Sequence, residues 1–216
     1  MNDINNYNTF TKIEPIQKGW SSDKKYYVET NSGERLLLRV SDFSEYEEKK
    51  HEFDLMTQIA AAGINMSQPI DFGVCSCGKK VYQILSWVEG EEAKEVLPSL
   101  SEKVQYDFGR EAGRMMLKMQ TVESYPPSSD WANIYSERLS KYIEAYKTCG
   151  VTLIGEDLLF SFLEQHSSCL DNRPMCLLHA DFQSDNMVIT PENKLYAIDF
   201  QGSGIVDPYY ALTGVM

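Results

Sequence analysis

Between residues 179 and 200 the chain concentrates oxygen-bearing side chains in a spacing that suits phosphoryl transfer. His179-Ala180-Asp181-Phe182-Gln183-Ser184-Asp185-Asn186 is a turn-rich loop, and the short apolar run Leu195 to Ile198 leads into Asp199-Phe200-Gln201-Gly202. A carboxylate, Asp181, thus stands five residues ahead of a carboxamide, Asn186, and a second carboxylate, Asp199, ends the adjoining strand. Phosphoryl transfer from a magnesium nucleotide needs these functions. One carboxylate orients and deprotonates the attacking hydroxyl, while an amide oxygen and the other carboxylate hold hard Mg2+ ions whose remaining ligands are water and phosphate oxygen. Nitrogen or sulfur donors would be the wrong chemistry for that metal.

His179-x-Asp181-x-x-x-x-Asn186, followed by Ile198-Asp199-Phe200, resembles the catalytic and metal-binding segments of the aminoglycoside phosphotransferase and choline kinase superfamily, relatives of the protein kinases. Ala180 stands where that family usually has glycine. The resemblance implies a donor of ATP or GTP, Asp181 as the catalytic residue, and Asn186 and Asp199 as Mg2+ ligands. His179 is expected to fix the loop by hydrogen bonding rather than to act as acid or base, and His51 and His166, on polar helix faces, receive no role. For Asp185, contact with metal or substrate and plain solvation both remain open.

The first half of the chain carries weaker signals for the same reading. Gly19-Trp20-Ser21-Ser22 resembles the phosphate-covering loop, in which Gly19, Ser21 and Ser22 would let backbone N–H groups approach phosphate oxygens. Ile84-Leu85-Ser86-Trp87-Val88-Glu89-Gly90 resembles the family's hinge between lobes. By position, the Ser86 carbonyl and the Val88 N–H would contact the base, and Leu85 would line its pocket. Arg39 occupies the strand position where the family usually places a phosphate-clamping lysine; arginine keeps the charge but differs in reach and fork. Glu52 is the expected helix partner of that cation, with Glu48, one turn earlier, as the competitor. Asp207-Pro208-Tyr209-Tyr210 resembles the segment after the metal carboxylate, with Ala211 where the family often has aspartate.

These residues require elements to hold them. Thr9 to Ile16, Tyr26 to Thr30 and Arg35 to Val40 read as strands of an antiparallel meander separated by turn residues. Ser44 to Ala62 reads as a helix with Phe53, Met56, Ile59 and Ala60 on one face, stopped by Gly63. Ile70 to Val74 and Val81 to Trp87 flank Cys75-Ser76-Cys77-Gly78, a hairpin turn for which a redox or metal role is the alternative. Beyond Gly90 the sequence turns helical. Pro98-Ser99 with Glu102 offers a capping box, ahead of an apolar stripe of Val104, Phe108, Ala112, Met115 and Met119. Tyr125 to Asp130 reads as a loop, Trp131 to Cys149 and Glu156 to Leu170 as amphipathic helices, and Met175 to Leu178, Met187 to Thr190 and Leu195 to Ile198 as strands.

The expected class is α+β. The resemblance implies a protein-kinase-like two-lobe fold: an N-terminal nucleotide-binding lobe over 1–88, a hinge near 85–90, and a mainly helical catalytic lobe over 89–216 carrying a catalytic hairpin. The chain ends 17 residues past Asp199, whereas the family continues through helices that complete the acceptor pocket; those helices are expected to be absent.

Composition narrows the partners. With 32 acidic and 20 basic residues among 216, the formal charge is −12. No basic footprint for nucleic acid exists, and no apolar run reaches the ~20 residues that span a bilayer. Five cysteines without a zinc or disulfide spacing, and no signal peptide, point to the cytoplasm. The acidic balance suits a cationic small molecule, held by carboxylates such as Asp130, Glu137, Glu156 and Asp157. The resemblance favours an aminoglycoside or similar aminated sugar; choline, homoserine, methylthioribose, a macrolide or a glycated amine are the alternatives. A nucleotide-binding pseudokinase is the competing class, favoured by Arg39 and the early chain end and opposed by the presence of Asp181, Asn186 and Asp199.

Overall fold

The computed structural model of the chain describes residues 1–17, 23–122, 131–179 and 181–209. The meander folds as β1 (Phe10–Ile16), β2 (Lys24–Thr30) and β3 (Arg35–Asp42), rich in Tyr, Val, Ile and Leu, which suit a pleated, half-buried surface. A short 3-10 turn over Phe43–Glu45 replaces the expected first helical residues, with the Asp42 carboxylate accepting from the Ser44 N–H. Helix α1 follows over Tyr46–Ala61, then β4 (Pro69–Cys75) and β5 (Lys80–Ser86). The five strands form one antiparallel sheet in the order β1-β2-β3-β5-β4.

The β4–β5 turn is a hairpin, as its residues suggest, with Ser76, Cys77 and Gly78 all at positive φ. Its strained amides are answered from the chain start: the Asp3 carboxylate accepts from Ser76 N at 2.8 Å and Cys77 N at 2.9 Å. These bonds, Cys77 first, lower the Asp3 pKa to about 2.

Next come β6 (Glu91–Glu92), the single turn α2 (Ala93–Val96) and α3 (Glu102–Met119). The capping box is not formed. Ser101 is the N-cap and its side chain makes no cap bond, while the Ser99 hydroxyl turns back to donate to Val96 O. Phe108, Met115 and Met119 are buried on α3, whereas Val104 at the helix start is exposed.

Helices α4 (Trp131–Thr148) and α5 (Glu156–Gln165) form next, with a 3-10 turn over Ser167–Leu170 where the longer helix was expected. Both pack sparsely: Trp131 is the only buried residue of α4 and α5 has none. The expected loop over 125–130 lies outside the described residues. Strands β7 (Cys176–Leu178), β8 (Met187–Ile189), β9 (Leu195–Ala197) and β10 (Gly204–Val206) complete the order. The last was not foreseen; it pairs antiparallel with β7.

One core joins these parts. Leu55, Met56 and Ile59 of α1, Leu85 of β5, Met115 and Met119 of α3 and Leu195 of β9 belong to a single buried cluster that also holds Phe182 and Phe200. Each such side chain contributes roughly 1.5–3 kcal/mol by leaving water. The segment after α1 adds a backbone link, since Ala197 N donates to Asn65 O and Ser67 N donates to Ala197 O. The loop and the strand end bearing Asp181 and Asp199 are therefore anchored on apolar neighbours to both sides. No helix among the described residues is long and apolar enough to cross a membrane.

Candidate active site

The loop between β7 and β8 is held by its own polar groups. Asn186 Nδ2 donates to the Asp181 carboxylate at 2.7 Å and to Asp181 O at 2.9 Å. Ile198 N donates to Asn186 O, which ties the loop to the strand that leads into Asp199. With its amide nitrogen turned to Asp181, Asn186 presents Oδ1 away from that carboxylate; the orientation is assigned from these bonds. The amide engages one Asp181 oxygen, Oδ2.

His179 is the buried brace of the arrangement. The ring is 1% exposed, with Nε2 2.9 Å from Ile198 O and Nδ1 3.2 Å from Asp181 N. Nε2 therefore carries the proton and Nδ1 accepts. Phe200 lies 4.5 Å away between ring centroids. Burial pushes the imidazole pKa down, so the ring stays neutral and joins the two segments, in the structural role expected of it.

Asp199 adopts φ +57°, a left-handed conformation that a non-glycine residue rarely takes without a reason. Its Oδ2 is 3.4 Å from Lys25 Nζ. Its Oδ1 is buried and makes no hydrogen bond, although Arg39 Nη1 stands 3.6 Å away. A buried carboxylate oxygen without a donor is expensive. A hard cation would satisfy it, and the oxygen donors of Asp199 and Asn186 are of the kind Mg2+ takes. The residues present therefore fit Mg2+ held jointly by protein and phosphate oxygens.

Arg39 lies at the centre of a buried charge network. It is 2% exposed. Nε donates to Asp23 Oδ2 at 3.0 Å, Nη1 to Glu52 Oε1 at 3.1 Å and Nη2 to Gln201 Oε1 at 2.9 Å; Nη2 also donates to Asp23. Glu52, rather than Glu48, is thus the helix partner of Arg39. Lys49, 1% exposed, places Nζ 3.0 Å from Asp23 Oδ1 and 3.8 Å from Glu52 Oε2. Burial alone would raise the Asp23 pKa, but Arg39, Ser41 and Lys49 outweigh it and hold the carboxyl low. Two cations face two carboxylates, so neither charge is buried alone.

Asp23, Lys49, Lys25 and Gln201 were not singled out from the sequence. Lys49 could have been, because it lies three residues before Glu52 on the same helix face. Lys25 is the cross-strand partner of Arg39 in the β2–β3 ladder.

In the segment expected to form the hinge, Leu85 is buried. Ser86 N donates to Gln68 O at 2.8 Å, and the Ser86 carbonyl accepts from the Ser67 hydroxyl at 2.6 Å, so one of its lone pairs is used within the protein. Val88 is half-buried and lines, with Met66, Gln68, Trp87 and Tyr196, a cavity of about 440 Å³; none of Asp181, Asn186, Asp199 or Arg39 lines it. Gly19, Ser21 and Ser22 lie outside the described residues, as do Ala180, Asp130 and Ala211. Asp185 pairs with Lys94 at 2.7 Å. Asp207 pairs with Arg173, whose Nη2 is 3.1 Å from Oδ1, and accepts from Tyr209 N at 2.8 Å.

No curated protein sequence matches the chain. Among solved structures, aminoglycoside phosphotransferase APH(4)-Ia in a ternary complex with ADP and hygromycin B is similar with a TM-score of 0.68 and 15% identity, covering 97% of this chain and 72% of that one. ADP-bound aminoglycoside phosphotransferase APH(2'')-Ib is similar with a TM-score of 0.68 and 17% identity, covering 94% and 69%. Amicoumacin kinase in complex with AMP-PNP, Ca2+ and Ami gives 0.61 and 12%, covering 94% of this chain and 63% of that one. The chain thus spans 63–72% of the length of these neighbours and shares their two-lobe kinase-like fold. The family model described as "Phosphotransferase enzyme family" matches residues 12–216. By that match over nearly its whole length, the chain belongs to the phosphotransferase enzyme family.

Proposed function

We propose that the protein is a small-molecule kinase that transfers the γ-phosphate of ATP or GTP to a hydroxyl of an aminoglycoside or similar cationic metabolite. The supporting observation is the Asp181–Asn186–Asp199 group: a carboxylate oriented by an amide at 2.7 Å, beside a carboxylate whose buried Oδ1 has no donor. Residues 1–88 would hold the nucleotide and residues 89–216 the catalytic loop, with the base read at Leu85, Ser86 and Val88.

In this reading Asp181 accepts a hydrogen bond from the acceptor hydroxyl and takes its proton as that oxygen bonds to the γ-phosphorus and the bond from the γ-phosphorus to the β,γ-bridging oxygen breaks, releasing ADP or GDP. The proton leaves late, so positioning matters more than basicity. Asn186 holds Asp181 through Nδ2, and His179 fixes the backbone on which both ride. Bound at Asn186 and Asp199, Mg2+ would neutralise charge on the donor phosphates. Carboxylates on the helical lobe, among them Glu137, Glu156 and Asp157, suit a cationic acceptor, and the net charge of −12 favours its approach.

The experiment is phosphate transfer from Mg-ATP and Mg-GTP to a panel of aminoglycosides, choline, homoserine, methylthioribose and macrolides, with nucleotide-induced thermal shift alongside. Turnover on an aminated sugar is the expected result. Stabilisation by nucleotide without turnover on any acceptor would instead assign a nucleotide-binding pseudokinase.

A further inference from the structure

We propose that Lys25, on β2, is the cation that binds the nucleotide phosphates in this protein, and that Arg39 is a buried structural partner of Asp23 and Glu52. The inference rests on the nucleotide-binding reading above.

Arg39 has little left to offer a phosphate. Its Nε, Nη1 and Nη2 already donate to Asp23, Glu52 and Gln201, and its side chain is 2% exposed. Turning the guanidinium toward a ligand would strip Asp23 and Glu52 of their main counter-charge while both remain buried, leaving Lys49 alone between two carboxylates. Breaking a buried ion pair in this way is strongly unfavourable. Planar, forked arginine is also the cation best suited to stay in such a network, where it meets several acceptors at once.

Lys25 is placed differently. In the β2–β3 ladder it stands directly opposite Arg39, so both side chains occupy the same face of the sheet, the face from which Arg39 reaches Glu52 and Asp199. The Lys25 ammonium stands 3.4 Å from Asp199 Oδ2, and its side chain is 12% exposed. The contact the structure gives it is thus to the carboxylate proposed to hold Mg2+. That bond is long, and a cation taken up by Asp199 would neutralise the carboxylate and leave the ammonium without its counter-charge. Three donors on a flexible four-carbon stem can then turn to a phosphate beside the metal.

The test is calorimetric titration of Mg-ATP, Mg-GTP, Mg-ADP and free adenosine into wild type, Lys25→Met, Lys25→Arg and Arg39→Lys, together with the melting temperature of each protein without ligand. Lys25→Met is expected to weaken phosphate-bearing ligands about tenfold to a hundredfold, the range for a hydrogen bond to a charged group. It should leave adenosine affinity and the ligand-free melting temperature near those of wild type, and Lys25→Arg should restore part of the loss. Arg39→Lys should lower the ligand-free melting temperature while keeping nucleotide affinity within a few-fold of wild type. The proposal is overturned if Lys25→Met binds Mg-ATP and Mg-GTP as wild type does, or if Arg39→Lys loses phosphate-dependent affinity at unchanged melting temperature. Wild type that binds no nucleotide at all refutes the underlying reading instead, and is distinguished because every variant then behaves alike.

Discussion

Asp181 and His179 are two residues apart and do opposite work. Asp181 is exposed and its carboxylate is held by Asn186 from one side; replacement by Asn keeps the size and removes the proposed proton acceptor. Turnover should fall by about 10²–10⁴-fold, with nucleotide-induced thermal shift unchanged, when initial rates of phosphate transfer are compared with wild type. Asn186→Ala removes both the donor that orients Asp181 and a proposed metal ligand, so it should lower turnover and also raise the Mg2+ concentration needed for half-maximal rate. His179 acts through stability. The folded chain keeps the ring neutral because burial depresses its pKa below the ordinary 6.5. The unfolded chain protonates it at that ordinary value. As pH falls below 6.5 the unfolded state therefore binds the extra proton, and the stability present above 6.5 is progressively lost. Denaturant midpoints measured from about pH 7.5 to about pH 5.5 should fall in wild type and fall less steeply in His179→Gln. The grouping of Asp181 with Asn186, and of their loop with the strand that ends at Asp199, was legible in the sequence because it depends on residue type and on spacing within one loop and hairpin. Asp23, Lys25 and Gln201 were not, because their meaning comes from contacts across 16, 174 and 162 positions of chain, and an Asp-Lys-Lys run at the end of a turn is ordinary surface chemistry until the sheet register is known.

The elements were read well where local pattern decides them and less well where tertiary contact does. Strand alternation and the Asn31-to-Gly33 turn located β2 and β3 to within a few residues, and the three- and four-residue apolar steps located α1 and α3. The face of α1 was read too apolar: Lys49 and Glu52 are buried beside Leu55, Met56 and Ile59, because Arg39 and Asp23 supply the counter-charges that a hydrophobic pattern cannot show. Strand β10 was missed because Gly204-Ile205-Val206 has no length or alternation of its own and becomes a strand by pairing with β7. On α5 the apolar stripe is real, yet Leu158, Leu159 and Phe162 stay exposed, the Phe162 ring stacking on His166 with centroids 4.1 Å apart. Glycines mark where backbone geometry is exacting. At Gly90, φ is +150° and a Cβ would lie 2.3 Å from Ile189 O, where β6 meets β8. Gly90→Ala should therefore destabilise by about 1–3 kcal/mol, lowering the melting temperature by roughly 2–4 °C per kcal/mol for a chain of this size. Gly109, in the middle of α3, has nothing within 4 Å of its would-be Cβ. Gly109→Ala should raise stability by about 0.5–1 kcal/mol, since alanine is the better helix former. Opposite signs for these two substitutions in one differential scanning experiment would bear out the packing; a neutral Gly90→Ala would contradict it.

Across the whole molecule, the same buried cluster that stabilises the fold also positions the loop and strand end that carry Asp181 and Asp199, the groups proposed for catalysis and metal binding. Phe200 follows Asp199, the carboxylate proposed to hold Mg2+, and is fully buried; it lies against His179 and shares a core with Leu55 and Ile59 of α1, Leu85 of β5 and Met115 of α3. The sheet half and the helical half do not have separate cores that include the site, so loosening one side must loosen the other. Phe200→Ala should cost about 3–5 kcal/mol by removing a large side chain from a close-packed site. The remaining cavity lies directly beneath the turn that holds Asp199 at φ +57°, so nucleotide-induced stabilisation should shrink as well, because the carboxylate is no longer pinned in its strained conformation. A conservative Phe200→Leu should recover most of the stability and only part of the nucleotide response, since it restores volume but not the ring that packs on the imidazole. The shared core also means that unfolding followed by tryptophan fluorescence and by far-ultraviolet circular dichroism should give coincident transitions. Two separated transitions, with the Phe200→Ala effect confined to one, would show that the halves are energetically independent and that the catalytic turn does not depend on α1 for its geometry.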